Sequence, residues 1–143
     1  MKKLILIAGI ALTITACTSN EGANDEARRT EYAKFLDSPT TIEYDEEVFN
    51  FGEVKEGEMV KHTFKFTNTG DEQLILVNVN GSCGCTVPES WPKHPIAPGE
   101  GGEISVVFNT NDRVGKAQKS IRIEANTAPV STTAVQLVGT VVE

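Results

Sequence analysis

The alternation between residues 60 and 67 constrains this chain more than any other feature. Val60, His62, Phe64 and Phe66 occupy one phase, and Lys61, Thr63, Lys65 and Thr67 the other. Successive side chains of a strand point to opposite faces, so the segment reads as a half-buried β-strand with an apolar inner side. Asn68-Thr69-Gly70-Asp71 then supplies turn chemistry, with Gly70 available for a positive φ.

The same logic extends along the chain. Val48 to Gly52 reads as a short strand, and Glu56-Gly57-Glu58 as a turn. The run from Gln73 to Asn80 is apolar on both faces, the pattern of a central strand covered on each side. Residues 88–98 hold Trp91, His94 and four prolines, and read as a loop that Pro98-Gly99-Glu100-Gly101-Gly102 closes. Ile104, Val106 and Phe108 then alternate inward. After a loop from Asn109 to Gly115, Ile121, Ile123 and Ala125 oppose Ser120, Arg122 and Glu124. A last strand, Thr132 to Val142, places Val135, Leu137, Gly139 and Val141 on one face. Twelve glycines and six prolines in short clusters favour a turn-rich β fold over a helical one. About seven strands in roughly 100 residues is the count of an all-β, antiparallel, immunoglobulin-like β-sandwich, here assigned to residues 41–143.

What precedes the sandwich differs in kind. Lys2 and Lys3 are followed by thirteen uncharged residues, Leu4 to Ala16. That is well short of the roughly 20 residues needed to span a bilayer, so residues 1–16 read as a cleaved signal peptide. The run ends in Ile14-Thr15-Ala16-Cys17, which resembles the lipobox of bacterial lipoproteins, with isoleucine where leucine is more usual. The resemblance implies that Cys17 becomes the lipid-modified first residue. Several acyl chains would hold it firmly, at about 0.8 kcal/mol per buried methylene. Thr18 rather than aspartate follows, so analogy favours the outer membrane, without choosing its periplasmic or outer face. Residues 17–40 are polar and small and read as a tether, with a short helix conceivable between Asp25 and Leu36.

A chain of 143 residues accommodates this tail and one domain. Net charge is −7, or −9 after residue 16, where 11 basic residues face 20 acidic ones. An acidic domain without a basic stripe repels phosphate backbones, which argues against nucleic acid as a partner. There are only two histidines and no nucleophile motif, phosphate loop or metalloprotease helix, so an enzyme is not expected.

Several landmarks occur together: Phe49-Asn50-Phe51-Gly52, Phe64 to Gly70, Ser82-Cys83-Gly84-Cys85-Thr86, and Ile96-Ala97-Pro98-Gly99-Glu100. In order and spacing they resemble the bacterial family Domain of Unknown Function 1573, usually found in lipoproteins. That family is similar to the immunoglobulin-like sandwiches of sperm-protein and PapD-type chaperone relatives. The resemblance spans about residues 45–142 and implies the fold but no activity.

Cys83 and Cys85 are where chemistry is to be sought. Residues two apart on a strand have Cα atoms about 6.6 Å apart, at the outer edge of disulfide geometry, and Gly84 can bend the chain to bring them closer. Three readings stay open. The pair can be structural, as small core residues or a tight disulfide stiffening a hairpin in an oxidising envelope. It can capture a soft metal, copper or zinc, with His94 as a further ligand because two thiolates do not close a site. It can be a redox-active dithiol, although no lysine, arginine or histidine lies within five residues to lower a thiol pKa. His62, on the apolar phase, reads as a partly buried ring, and Trp91 as a loop anchor. The expected role is a non-catalytic, lipid-anchored envelope protein that binds another envelope protein through an edge strand or the cysteine loop. The alternative is a metal- or thiol-handling protein.

Overall fold

A computed structural model describes Thr30, Ala33, Lys34 and residues 37–143. The leader, Cys17 and nearly all of the tether segment from Asp25 to Leu36 lie outside the described residues. Eight strands follow: β1 Ile42–Tyr44, β2 Val48–Lys55, β3 Met59–Asn68, β4 Leu76–Gly81, β5 Thr86–Ser90, β6 Gly101–Asn109, β7 Gly115–Ala125 and β8 Thr132–Val142. They form two four-stranded sheets, ordered β1-β3-β6-β5 and β2-β8-β7-β4. The expected all-β sandwich is therefore present, with eight strands rather than seven. No helix among the described residues is long and apolar enough to cross a membrane.

The alternation in β3 does what its period requires. Phe64 and Phe66 are fully buried between the sheets, while Lys61 and Lys65 face solvent. Ile104 and Phe108 meet them from β6, and Ile121, Ile123, Val135, Leu137 and Val141 from the opposite sheet. Each such side chain contributes about 1.5–3 kcal/mol on burial, so this interior is the main source of stability.

Not every pair is antiparallel. β2 runs parallel to β8, because β1 and β2 are successive parts of one run that changes sheet without reversing. The Asp45 N–H still donates to the Lys65 carbonyl of β3, whereas the Glu47 carbonyl already accepts from Gln136 of β8. The switch takes place within three residues.

β4 is an edge strand, not the central strand expected from its apolar run. Its lack of alternation has another cause. A register shift between Leu76 and Asn78 changes the inward phase, so Leu76 is buried before it and Val79 after it. Leu74, just ahead of the strand, is buried against Ile96 through reciprocal backbone hydrogen bonds. β5 occupies part of the stretch expected to be loop. Pro88 is tolerated there because β5 pairs with β6 on one side only.

At the end of the sandwich where β6 begins and β7 ends, polar side chains replace apolar ones. Asn68 is fully buried and saturated. Its Nδ2 donates to the carbonyls of Glu72 and Ile96, and its Oδ1 accepts from Thr40 Oγ1 and the Gly70 N–H. Asn126 does the same for its neighbours, accepting from the Ile75 N–H and donating to Ser38 and Gln73 carbonyls. Thr40 thus already belongs to the packed body. Gly70 is needed for closeness rather than for a positive φ, since a Cβ there would collide with Thr40.

Candidate functional site

Asn80-Gly81 is a turn-forming dipeptide in sequence, yet both residues lie in β4, where they pair with Arg122 and Ile121 of β7. A Cβ on Gly81 would run into the Thr86 carbonyl oxygen, so glycine is required by that approach. The chain turns one step later, over Ser82 to Cys85. The Ser82 N–H donates to the Ser120 carbonyl, and the Ser120 N–H donates back to Ser82 Oγ. Thr86 N–H donates to the Cys83 carbonyl at 3.1 Å, and Asn109 N–H to the Cys85 carbonyl at 2.8 Å. The turn is therefore tied to both sheets.

Cys83 and Cys85 are joined by a disulfide, with Cα atoms 5.2 Å apart. The bend at Gly84 brings them inside the separation a straight strand would give. The bond does not staple a hairpin, because β4 and β5 are not paired and belong to different sheets. It caps the crossover between two edge strands on one side of the sandwich. Cys85 packs against the core, while Cys83 stands half-buried between exposed Ser82 and Gly84. Cys83 Sγ lies 3.6 Å from Thr86 Oγ1. A disulfide sulfur carries no proton, so the threonine hydroxyl is the donor.

The other candidates do not complete a metal centre. His94 is exposed in the loop after β5. Among the described residues no group of three or more His, Cys, Asp or Glu side chains gathers in a geometry for an ion. The two sulfurs that would have been ligands are bonded to each other. Copper or zinc capture would require that bond to be reduced first.

His62 lies where its phase put it, partly buried and stacked on Phe49 with ring centroids 3.7 Å apart and edge-on to Phe64 at 4.6 Å. Its Nε2 is 2.8 Å from Glu46 Oε1, close enough for an ion pair but outside hydrogen-bonding alignment. Trp91 packs against the core as a loop anchor, with Lys93 Nζ over its ring.

One residue near the turn escaped the sequence reading. Lys119 shares its phase of β7 with Ala117, Ile121 and Ile123, all buried, so it faces inward. Its Nζ sits 5.3 Å over the ring of Phe108, the residue paired with Thr86. A lysine in the apolar phase of a strand was the available signal. It lay 34 positions beyond Cys85 in sequence, far from the window in which a cation was sought.

The model of the family described as "Protein of unknown function (DUF1573)" matches residues 42–141. The chain belongs to DUF1573. That span takes in all eight strands except the last residue of β8, and includes the cysteine turn. Among solved structures, the DUF1573 sandwich is similar to a protein of unknown function from Porphyromonas gingivalis W83. The identity is 15% and the TM-score 0.62, over 71% of this chain and 47% of that one. It is also similar to the secreted serine protease VesC of Vibrio cholerae, at 15% identity and TM-score 0.59 over 87% of this chain and 26% of that one. A third likeness is to the ASH/PapD-like domain 7 of human CEP192, at 12% identity and TM-score 0.57, over 97% of this chain and 99% of that domain. The chain thus spans about half of the Porphyromonas protein and about a quarter of VesC. Identities this low establish the fold alone, an immunoglobulin-like sandwich of PapD-like type. No curated protein matches the sequence.

Proposed function

We propose that this DUF1573 chain is a non-catalytic protein of the bacterial cell envelope, lipid-anchored to the outer membrane through Cys17, whose sandwich binds another envelope protein. The observation that carries the binding role is the arrangement on one side of the domain. β4 and β5, the open edges of the two sheets, meet there through the exposed cysteine turn. Val87 of β5 is 53% exposed, an apolar contact point on an otherwise polar edge. Unpaired strand edges are ready templates for another chain. The interior is filled by Phe64, Phe66, Phe108 and Leu137, which fits a scaffold presenting its surface better than an enzyme presenting a cavity.

A membrane partner enters through acylated Cys17, and the acidic balance speaks against nucleic acid. A photo-crosslinking amino acid at Val87, compared with one at Glu53 on the far edge strand β2, tests the binding role in intact envelopes. A discrete adduct from position 87 and none from position 53 is the expected result. Monomer alone from both positions would remove the reading. The anchor is tested separately, by incorporation of a labelled fatty acid that Cys17→Ser should abolish together with membrane sedimentation.

A further inference from the structure

The cysteine turn presents more than a contact surface. We propose that Cys83 and Cys85 form an exchange-competent disulfide that oxidises a cysteine pair of another polypeptide. This rests on the reading of the sandwich as a module that meets another protein, and adds what the partner must carry.

Three features converge. Both cysteines are half-buried, but Cys83 is flanked on both sides by exposed residues, Ser82 and Gly84, whereas Cys85 adjoins buried Thr86 and packs on the core. An incoming thiolate therefore reaches Cys83 first. The Thr86 hydroxyl already points its proton at Cys83 Sγ across 3.6 Å. The same donor interacts more strongly with a thiolate than with a disulfide sulfur, because hydrogen bonds to charged acceptors are about twice as strong. Finally, Lys119 supplies an inward cation at this end, its Nζ over Phe108, whose strand partner is Thr86. Nearby cations favour the thiolate form.

The step balances as follows. A thiolate of the partner attacks Cys83 Sγ, the Cys83–Cys85 bond breaks, and Cys85 leaves with the electron pair and takes up a proton. The partner's second thiolate then attacks its own sulfur in the mixed disulfide. The bond to Cys83 breaks, and its electron pair stays on Cys83 as a thiolate that accepts from the Thr86 hydroxyl until protonated. The partner has lost two electrons and two protons to become a disulfide, and the turn has gained them as two thiols. One chain oxidises one pair, so the role is stoichiometric and compatible with a protein that does not turn over substrate.

The test uses the full chain in detergent, oxidised and under argon, with a reduced peptide bearing two cysteines as the probe. Thiols are trapped by alkylation and assigned by mass, which keeps Cys17 apart from the pair. The comparator is an oxidised free peptide, Ser-Cys-Gly-Cys-Thr. The protein should exchange at least about tenfold faster than this peptide, since both share covalent structure and only the protein positions Thr86 and Lys119. In the reverse direction, Cys85→Ser should capture the oxidised probe as a mixed disulfide on Cys83, and Cys83→Ser should capture about tenfold less on Cys85. Thr86→Val and Lys119→Gln, each placed in the Cys85→Ser chain, should slow that capture several-fold. Exchange no faster than the free peptide would overturn the proposal, as would preferential capture on Cys85. The wild-type comparison stands even where a variant fails to fold. A missing cross-link at Val87 with rapid exchange would sink the binding role alone.

Discussion

The two ends of the sandwich solve the same problem with opposite means. Where β6 begins and β7 ends, Asn68 and Asn126 gather loose backbone into buried networks, and each side-chain amide is matched on both its oxygen and its nitrogen. Toward the other end, beside the end of β6 and the middle of β7, the crossover from β4 to β5 is held by backbone hydrogen bonds and capped by a disulfide near the surface. The first end is expensive to disturb, because removing an amide strands several buried groups at once. The second spends little of the fold's stability on its sulfurs, since a bond closing so small a loop constrains the unfolded chain weakly. The contrast marks one end as structural and leaves the other available for chemistry.

Asn68→Ala puts the contrast under the heaviest load. It strands the Thr40 hydroxyl, the Gly70 N–H and the Glu72 carbonyl, and urea unfolding should report a loss of about 3 kcal/mol. Next comes Gly81→Ala, whose methyl group meets the Thr86 carbonyl. A loss of about 2 kcal/mol is expected from such overpacking, and it would show that backbone closeness, rather than sulfur chemistry, holds the turn. Replacing both cysteines by serine should cost less, about 1.6 kcal/mol at most by the chain-entropy relation for a three-residue loop. A larger loss than that of Asn68→Ala would reverse the contrast.

Tyr44 sharpens the structural end in a different way. Its hydroxyl shares a 2.7 Å hydrogen bond with Thr133 across the sheets. Burial pushes its pKa up to about 12, against a smaller lowering by the Thr133 hydrogen bond, with Glu47 adding a further rise. Below the ordinary value near 10 the folded and unfolded chains are both protonated at this site. Between about 10 and 12 the folded chain retains a proton that the unfolded chain has lost, so stability should fall as pH rises through that window. Tyr44→Phe should cost about 1 kcal/mol at neutral pH and flatten the alkaline decline, as followed by thermal unfolding at a series of pH values. The smallest effect belongs to Gly84→Ala. A Cβ there meets nothing within 4 Å, and stability should stay within about 0.5 kcal/mol.

Much of this architecture was legible in the residues, wherever a strand has one wet and one dry face. The alternation in β3, β6, β7 and β8 identified Phe64, Phe66, Ile104, Phe108, Ile121, Ile123, Val135, Leu137 and Val141 as core, and all are buried. Legibility failed where the pattern was mixed. The bulge in β4 made an edge strand look like a central one, and Pro88 hid β5 inside an apparent loop. β1 is three residues long, too short to declare a period. The parallel pairing of β2 with β8 follows from a change of sheet that no local pattern encodes. At the site, the cysteines and the bend at Gly84 were legible, but Thr86 as a donor to Cys83 and Lys119 as the inward cation were not. Thr86 is only three residues from Cys83 but is set in place by its pairing with Phe108, and Lys119 is brought to Phe108 only through β7.

A single titration bears most directly on the claim that the sandwich stands without its disulfide. The full chain is equilibrated with increasing dithiothreitol, with Cys83 and Cys85 assigned by alkylation and mass while circular dichroism is recorded on the same samples. The account predicts that both cysteines become reduced together while the β-sheet signal is kept and the unfolding free energy falls by no more than the small amount expected of the double-serine variant. Loss of the sheet signal in step with reduction would contradict it, and would make the bond a staple of the fold.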